Sequence, residues 1–312
     1  MPEHGSPVPK ASRTRVIALM NQKGGVGKTT TTINLGAALA AAGHPTLIVD
    51  LDPQAHATLS LGVDPAAVPR SVYDLLLDWD DEASAALVPV RPNLSLVTSE
   101  TDLAAAEAEL ASLPDRHQRL AHALEQVRSK FRYILIDCPP SLGMLTINGL
   151  AAAQEVIIPM QAHFLALQGV SKLLETVTLV RGKLNPALSV SGVVLCMHDA
   201  SATHTQEVVA DLTSFFEDAR AKDVPWKSAV VFRPPIRRNI KLAECPSFGQ
   251  SIFDYAPSAP GAADYKALAD AVIASAPAEP APRKKASAAP PPPPSPVPEV
   301  VVKPGAPAEI PG

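Results

Sequence analysis

An apolar run, Arg15-Val16-Ile17-Ala18-Leu19-Met20, leads into the decapeptide Asn21-Gln22-Lys23-Gly24-Gly25-Val26-Gly27-Lys28-Thr29-Thr30. A helical pattern, Thr31 to Ala42, leads out of it. Strand, glycine-rich loop and helix in that order make a phosphate cradle, and this constrains the fold more than any other stretch of the chain. Gly24, Gly25 and Gly27 let the backbone turn its N–H groups towards an anion without side chains in the way. Lys28 offers a point charge for β- and γ-phosphates, and Thr29 a hydroxyl ligand for Mg²⁺. The helix that begins near Lys28 aims its positive end at the same oxygens.

Two acidic strand ends extend this pattern. Thr46-Leu47-Ile48-Val49-Asp50 is a continuous apolar run, as expected of a strand buried on both faces of a parallel sheet. It continues as Leu51-Asp52-Pro53-Gln54, and residues two apart on a strand share a face, so Asp50 and Asp52 converge at its C-terminal end. Tyr133-Ile134-Leu135-Ile136-Asp137 is a second such strand, followed by Cys138-Pro139-Pro140-Ser141. A buried strand ending in a carboxylate is a Mg²⁺-holding pattern, which puts Asp137 beside the loop.

Lys23-Gly24-Gly25-Val26-Gly27-Lys28-Thr29-Thr30 resembles the deviant Walker A loop of the ParA/MinD partition ATPases, and the Soj-like ParA branch most of all. The DxDPQ and DxPPS segments fall in that family's order and spacing, and the resemblance spans Val16 to Ser275. It implies a doubly wound, mostly parallel α/β sheet with helices on both faces, ATP and Mg²⁺ as ligands, and an ATP-dependent homodimer. In such a dimer Lys23 reaches the partner's nucleotide and Asp52 positions the attacking water. Asp50 supports the Mg²⁺ shell held by Thr29 and Asp137. The segment Arg238-Asn239-Ile240-Lys241-Leu242-Ala243-Glu244-Cys245-Pro246 resembles the loop that packs by adenine, making Arg238, Asn239 and Pro246 candidate base contacts beside the loop residues 23–30. The family also implies non-specific DNA binding, a ParB-like activator and a cytoplasmic, nucleoid-associated place of work.

The sequence departs from relatives in places. Ala55-His56-Ala57-Thr58 replaces the usual Gly-Asn-Ala-Thr, and His56 is given no role. His163 and Gln168 replace acids in the dimer-facing segment, and Ser201 stands where DNA-partitioning relatives carry arginine. These changes leave a non-DNA cargo open.

Net charge is −4 over 312 residues, so any DNA-binding surface must be local. Arg220, Lys222, Lys227, Arg233, Arg237, Arg238 and Lys241 lie against a single acid, Asp223, and read as a basic band; Arg220, Lys222, Arg237 and Lys241 are its candidate phosphate contacts. The three scattered cysteines include no CxxC pair, which fits a reducing cytoplasm; Cys138 reads as a packing residue. No apolar leader and no run of about 18 apolar residues is visible. Residues 71–79 and 102–130 read as helices, with Asp115 as a cap and His117 and His122 on the solvated face.

Residues 1–14 read as a flexible arm and 15–276 as the ATPase domain. In 277–312, 13 of the chain's 33 prolines accumulate. That density forbids the amphipathic helix of a MinD-like membrane-surface regulator, with no membrane insertion, and suits an extended tail that is either a passive linker or a docking strip for a proline-reading partner. Two enzyme alternatives share the deviant loop: a nitrogenase-reductase relative, which needs paired cluster cysteines, and an amide-forming synthetase.

Overall fold

The computed structural model describes residues 13–78, 82–162, 166–199 and 203–275, with the side chains of 166–168 and 203–204 left out. The expectations for residues 1–12, His163, the Gln168 side chain, Ser201 and the 277–312 tail lie outside what it describes.

Among the described residues eight strands form one sheet: β1 (Arg15–Leu19), β2 (Thr46–Asp50), β3 (Val88–Arg91), β4 (Leu94–Val97), β5 (Tyr133–Asp137), β6 (Glu155–Met160), β7 (Ser189–Leu195) and β8 (Val230–Val231). Their order is β3-β4-β2-β5-β1-β6-β7-β8, and every pairing is parallel except β3 with β4. The chain runs outwards one way from β1 to β2 and the other way from β5 to β6. This reversal beside β1 is where open α/β sheets bind ligands.

Both faces of the sheet are covered. Along β1 and just beyond, Val16, Ala18 and Met20 enter one apolar cluster while Ile17 and Leu19 enter the other. The central strands β1, β2, β5 and β6 are buried at every residue, which explains why their sequences read as unbroken apolar runs. Helix α1 (Lys28–Ala41) lies on the second face with the terminal helix Pro260–Ala274, its neighbour in the same cluster.

Arg15 and Thr14 sit differently from what their basic, polar neighbourhood suggests. The Arg15 guanidinium is buried and bidentate to Glu155 on β6, at 2.7 Å for each bond, and also donates to the Val272 carbonyl. The Thr14 hydroxyl donates to the Arg128 and Phe131 carbonyls. The folded domain therefore begins by Thr14, and Arg15 ties the last helix to the sheet.

The expected helix over 102–130 is two helices, Leu103–Leu110 and Arg119–Val127. Pro114 cannot continue a helix, and Asp115 turns the chain with φ +54°. Asp115 is consequently no cap: Gln118 precedes the second helix and makes no side-chain cap bond. His117 and His122 are half-buried rather than on a fully solvated face.

Candidate nucleotide and magnesium site

The C-terminal ends of β1, β2, β5, β6 and β7 converge on the loop 21–27. Gly25 and Gly27 adopt φ +69° and +93°, conformations that L side chains rarely take, and Gly27 caps α1. The Asn21 amide ties the loop to β6 through the Pro159 carbonyl (2.8 Å), and the Gln161 amide donates to the Gly25 carbonyl (3.3 Å). Positions 24 and 25 face open space, where an added Cβ would meet nothing within 4 Å. Val26 is buried beneath the loop, and Thr30 lines the pocket behind it.

The two lysines differ in exposure. Lys28 is buried and its ammonium donates to the Lys23 carbonyl at 3.2 Å. Burial lowers its pKa, against the pull of the Asp137 and Asp52 carboxylates. The Lys23 residue is exposed on the loop's outer lip.

Asp137 ends β5 and accepts hydroxyl bonds from Thr29 (2.7 Å) and Thr32 (2.9 Å). Asp50 is its register partner on β2 and accepts from the Thr58 amide and hydroxyl, both at 2.8 Å. Burial pushes Asp137 up to about 6, opposed by the two threonine bonds and Lys28. Burial, and then repulsion by Asp137, pushes Asp50 up to about 7. Two neighbouring buried carboxylates that resist ionisation, with a threonine hydroxyl between one of them and the loop, fit a divalent cation. Thr29 would hold Mg²⁺ directly, and Asp137 and Asp50 through water. Asp52 is buried just past the strand end, its carboxylate accepting from the Gln54 amide at 3.0 Å.

Behind the loop lies a mostly apolar pocket of about 300 Å³. Gly27, Thr30, Cys196, Met197, Ile236 and Tyr265 are among its walls, with Arg238 and Asn239 at one side. The Asn239 side-chain oxygen caps the short helix Ile240–Glu244 by accepting from the Lys241 amide (2.9 Å), while its buried Nδ2 has no partner. An apolar slot of this size suits a heteroaromatic base. Pro246 is not part of this pocket: it sits in the next turn, Cys245–Phe248, which packs towards helix α2 (His56–Ser60). Cys196, Met197 and Tyr265 carry no motif and were invisible until β7 and the last helix were placed against the loop.

The basic band is not one surface. The Pro225 carbonyl accepts from Val190 at the start of β7, whereas the Ile236 carbonyl accepts from His198 beyond its end. The length of β7 (Ser189–Leu195) separates the two points, roughly 20 Å. Arg220, Lys222 and Lys227 are exposed at one edge of the sheet; Arg237, Arg238 and Lys241 lie at the nucleotide edge. Arg237 is committed to the buried Asp264 carboxylate through its amide and guanidinium, the shortest bond being 2.7 Å. Lys241 pairs with Glu244 at 2.8 Å and lies over the Tyr255 ring.

Cys138 is buried against Gly149, with its thiol pushed far up by burial and by Asp137. Among the described residues no helix is long and apolar enough to cross a membrane.

Loop, acidic strand ends and base-sized pocket define a P-loop ATPase that uses ATP and Mg²⁺, and a family described as an AAA domain matches residues 14–190. The chain is 44% identical over 261 residues to the sporulation initiation inhibitor protein Soj of Bacillus subtilis, covering 84% of this chain and 99% of that one. It is 40% identical over 265 residues to the chromosome partitioning protein ParA of Caulobacter vibrioides, covering 84% and 95%. The chain belongs to the ParA/Soj family of chromosome-partitioning ATPases. Among solved structures, a Mycobacterium smegmatis protein titled cobyrinic acid a,c-diamide synthase, with bound ATP analogue and magnesium, is 40% identical (TM-score 0.69, 83% of this chain and 94% of that one). Cyanothece McdA shares the fold at 23% identity (TM-score 0.71, 84% and 100%).

Proposed function

We propose that this ATPase segregates or positions DNA by cycling between a free form and an ATP-bound homodimer. The carrying observation is the division between its two loop lysines: Lys28 is turned into its own cradle, while Lys23 stands on the outer lip, free to meet the phosphates of a second copy. Asp52 orients the attacking water, and Thr29, Asp137 and Asp50 would hold Mg²⁺, which when bound would supply positive charge beside the phosphates. Arg238 and Asn239 contact the base. Hydrolysis stays slow until a ParB-like activator completes the site, and it then releases DNA.

Non-specific DNA contact needs exposed cations doubled by dimerisation. Arg220 and Lys222 meet that need directly. Arg237 and Lys241 contribute only by exchanging Asp264 or Glu244 for a DNA phosphate, so their share is smaller. The protein would work in the cytoplasm, on the nucleoid. Amide synthesis, named for the mycobacterial structure, finds less support in these residues if glutamine is the nitrogen donor. That chemistry needs a reactive thiolate. Cys196 and Cys245 are buried with thiols pushed up to about 11, and Cys138 is higher still.

The test is binding to non-specific duplex DNA across a salt series, with and without ATP. ATP should induce binding that Lys23→Ala abolishes. Arg220→Ala should flatten the log–log salt slope by about 2, one contact per subunit. An ATP dimer that ignores DNA at low salt would overturn the partition reading.

A further inference from the structure

We propose that Ser99 is a positioning residue for ATP hydrolysis: it fastens both ends of the Asp52–Thr58 segment and so keeps Asp52 in place. The inference rests on the reading of Asp52 as the water-orienting carboxylate. Ser99 lies just beyond β4, which pairs with β2 up to Val49 and Val97, and this brings it alongside the chain leaving β2. Its hydroxyl donates to the Asp52 carbonyl at 2.7 Å. Its amide donates to the Thr58 hydroxyl at 3.0 Å. The Thr58 hydroxyl donates in turn to the Asp50 carboxylate, which also accepts from the Asp52 amide at 3.2 Å.

Ser99, Thr58, Asp50 and Asp52 thus close a ring of hydrogen bonds, and the first three are wholly buried. Water cannot replace a missing bond there, so each member depends on the others. The segment they enclose needs fastening. Ala55, inside it, holds φ +52°, an unfavourable conformation for a residue with a Cβ. Without the Ser99 hydroxyl, the Asp52 carbonyl would keep only the Ala55 amide at 2.9 Å. The Asp52 carbonyl would then be held from within the strained turn alone, leaving the amide bond to Asp50 as the remaining tie from outside it. Lys28, Thr29 and Asp137 make no bond to Ser99, and in Ser99→Ala the Asp50 carboxylate keeps its bonds from Thr58 and the Asp52 amide, so ground-state nucleotide binding should change little.

Full-length protein would be assayed for single-turnover hydrolysis at saturating ATP and, separately, for ATP affinity. Ser99→Ala should slow hydrolysis fivefold to tenfold, the loss expected for one buried hydrogen bond, with ATP affinity within twofold of the parent. Thr58→Val should slow hydrolysis similarly, with Mg²⁺-ATP affinity lowered as well because Asp50 loses its hydroxyl partner, and Thr58→Ser should restore both. The Ser99→Ala/Thr58→Val double variant should be no more than about twofold slower than either single, because both break one ring. Parent-like hydrolysis in Ser99→Ala, equal losses of rate and affinity in that variant, or rate losses that multiply in the double variant would overturn the proposal. If Ser99→Ala fails to fold, the Thr58 pair decides: equal rates for the Val and Ser variants would refute it. Asp52→Asn separates the two readings. Full activity there defeats the role of Asp52 itself, whereas an inactive Asp52→Asn beside a fully active Ser99→Ala defeats only the role of Ser99.

Discussion

Adding one methyl to Gly27 should damage the cradle in two separable ways. Gly27 holds φ +93° and ψ +22°, where a Cβ costs about 1–2 kcal/mol. The new Cβ would also lie 3.2 Å from both Cβ and Sγ of Cys196, a packed neighbour that moves only with β7, and such crowding costs roughly 1 kcal/mol or more. The stiffer unfolded chain offsets about 0.5–1 kcal/mol. Gly27→Ala should therefore lose about 2 kcal/mol, or roughly 4–8 °C in melting temperature for a domain of this size. Cys196→Ala removes the sulfur contact but not the backbone strain. In that background the same substitution should cost about 0.5–1 kcal/mol less, a coupling that thermal or urea melts of the four proteins can resolve. Lys28→Ala serves as the contrast, losing ATP binding without this coupling. Equal costs in the two backgrounds, or a Gly27→Ala protein as stable as the parent, would refute the strain-plus-crowding account.

Two further outcomes follow from the same loops. Ala55→Gly should stabilise the protein by roughly 0.5–1 kcal/mol, because relief at φ +52° exceeds the entropic cost of glycine; a lower melting temperature would count against strain there. Asp50 and Asp137 have folded-state pKa values of about 7 and about 6, raised above the ordinary 3.8, so the folded form holds their protons more tightly than the unfolded chain does. Their contribution to stability should fall as pH rises from about 4 to about 7. Melting curves of parent against Asp50→Asn isolate it: the parent should lose stability relative to the variant across that window, and Mg²⁺ with a non-hydrolysable ATP analogue should flatten the decline.

The sequence made the centre of the molecule readable because its central strands are buried on both faces and can only be apolar runs. The glycine loop, Asp50 and Asp137 are legible for the same reason, each closing such a run. What escaped depends on contacts across long sequence distances. Cys196 and Tyr265 reach the loop from β7 and the final helix, and Asp264 claims Arg237 from 27 residues away. Ser99 follows a short strand with nothing local to distinguish it. The basic band looked continuous because a sequence does not show that β8 and its neighbours carry Arg220 and Lys241 to opposite ends of β7. The break at Pro114 was visible but was outweighed by the apolar periodicity on either side of it.

If Lys23 acts on the other subunit while Lys28 serves its own, ATP affinity and ATP-dependent dimerisation should separate in Lys23→Ala and Lys28→Ala. Lys23→Ala should bind ATP within about threefold of the parent and stay monomeric by sedimentation, while Lys28→Ala should lose ATP binding itself. A Lys23→Ala protein that dimerises with ATP as the parent does, or that loses ATP binding as a monomer, would contradict the account.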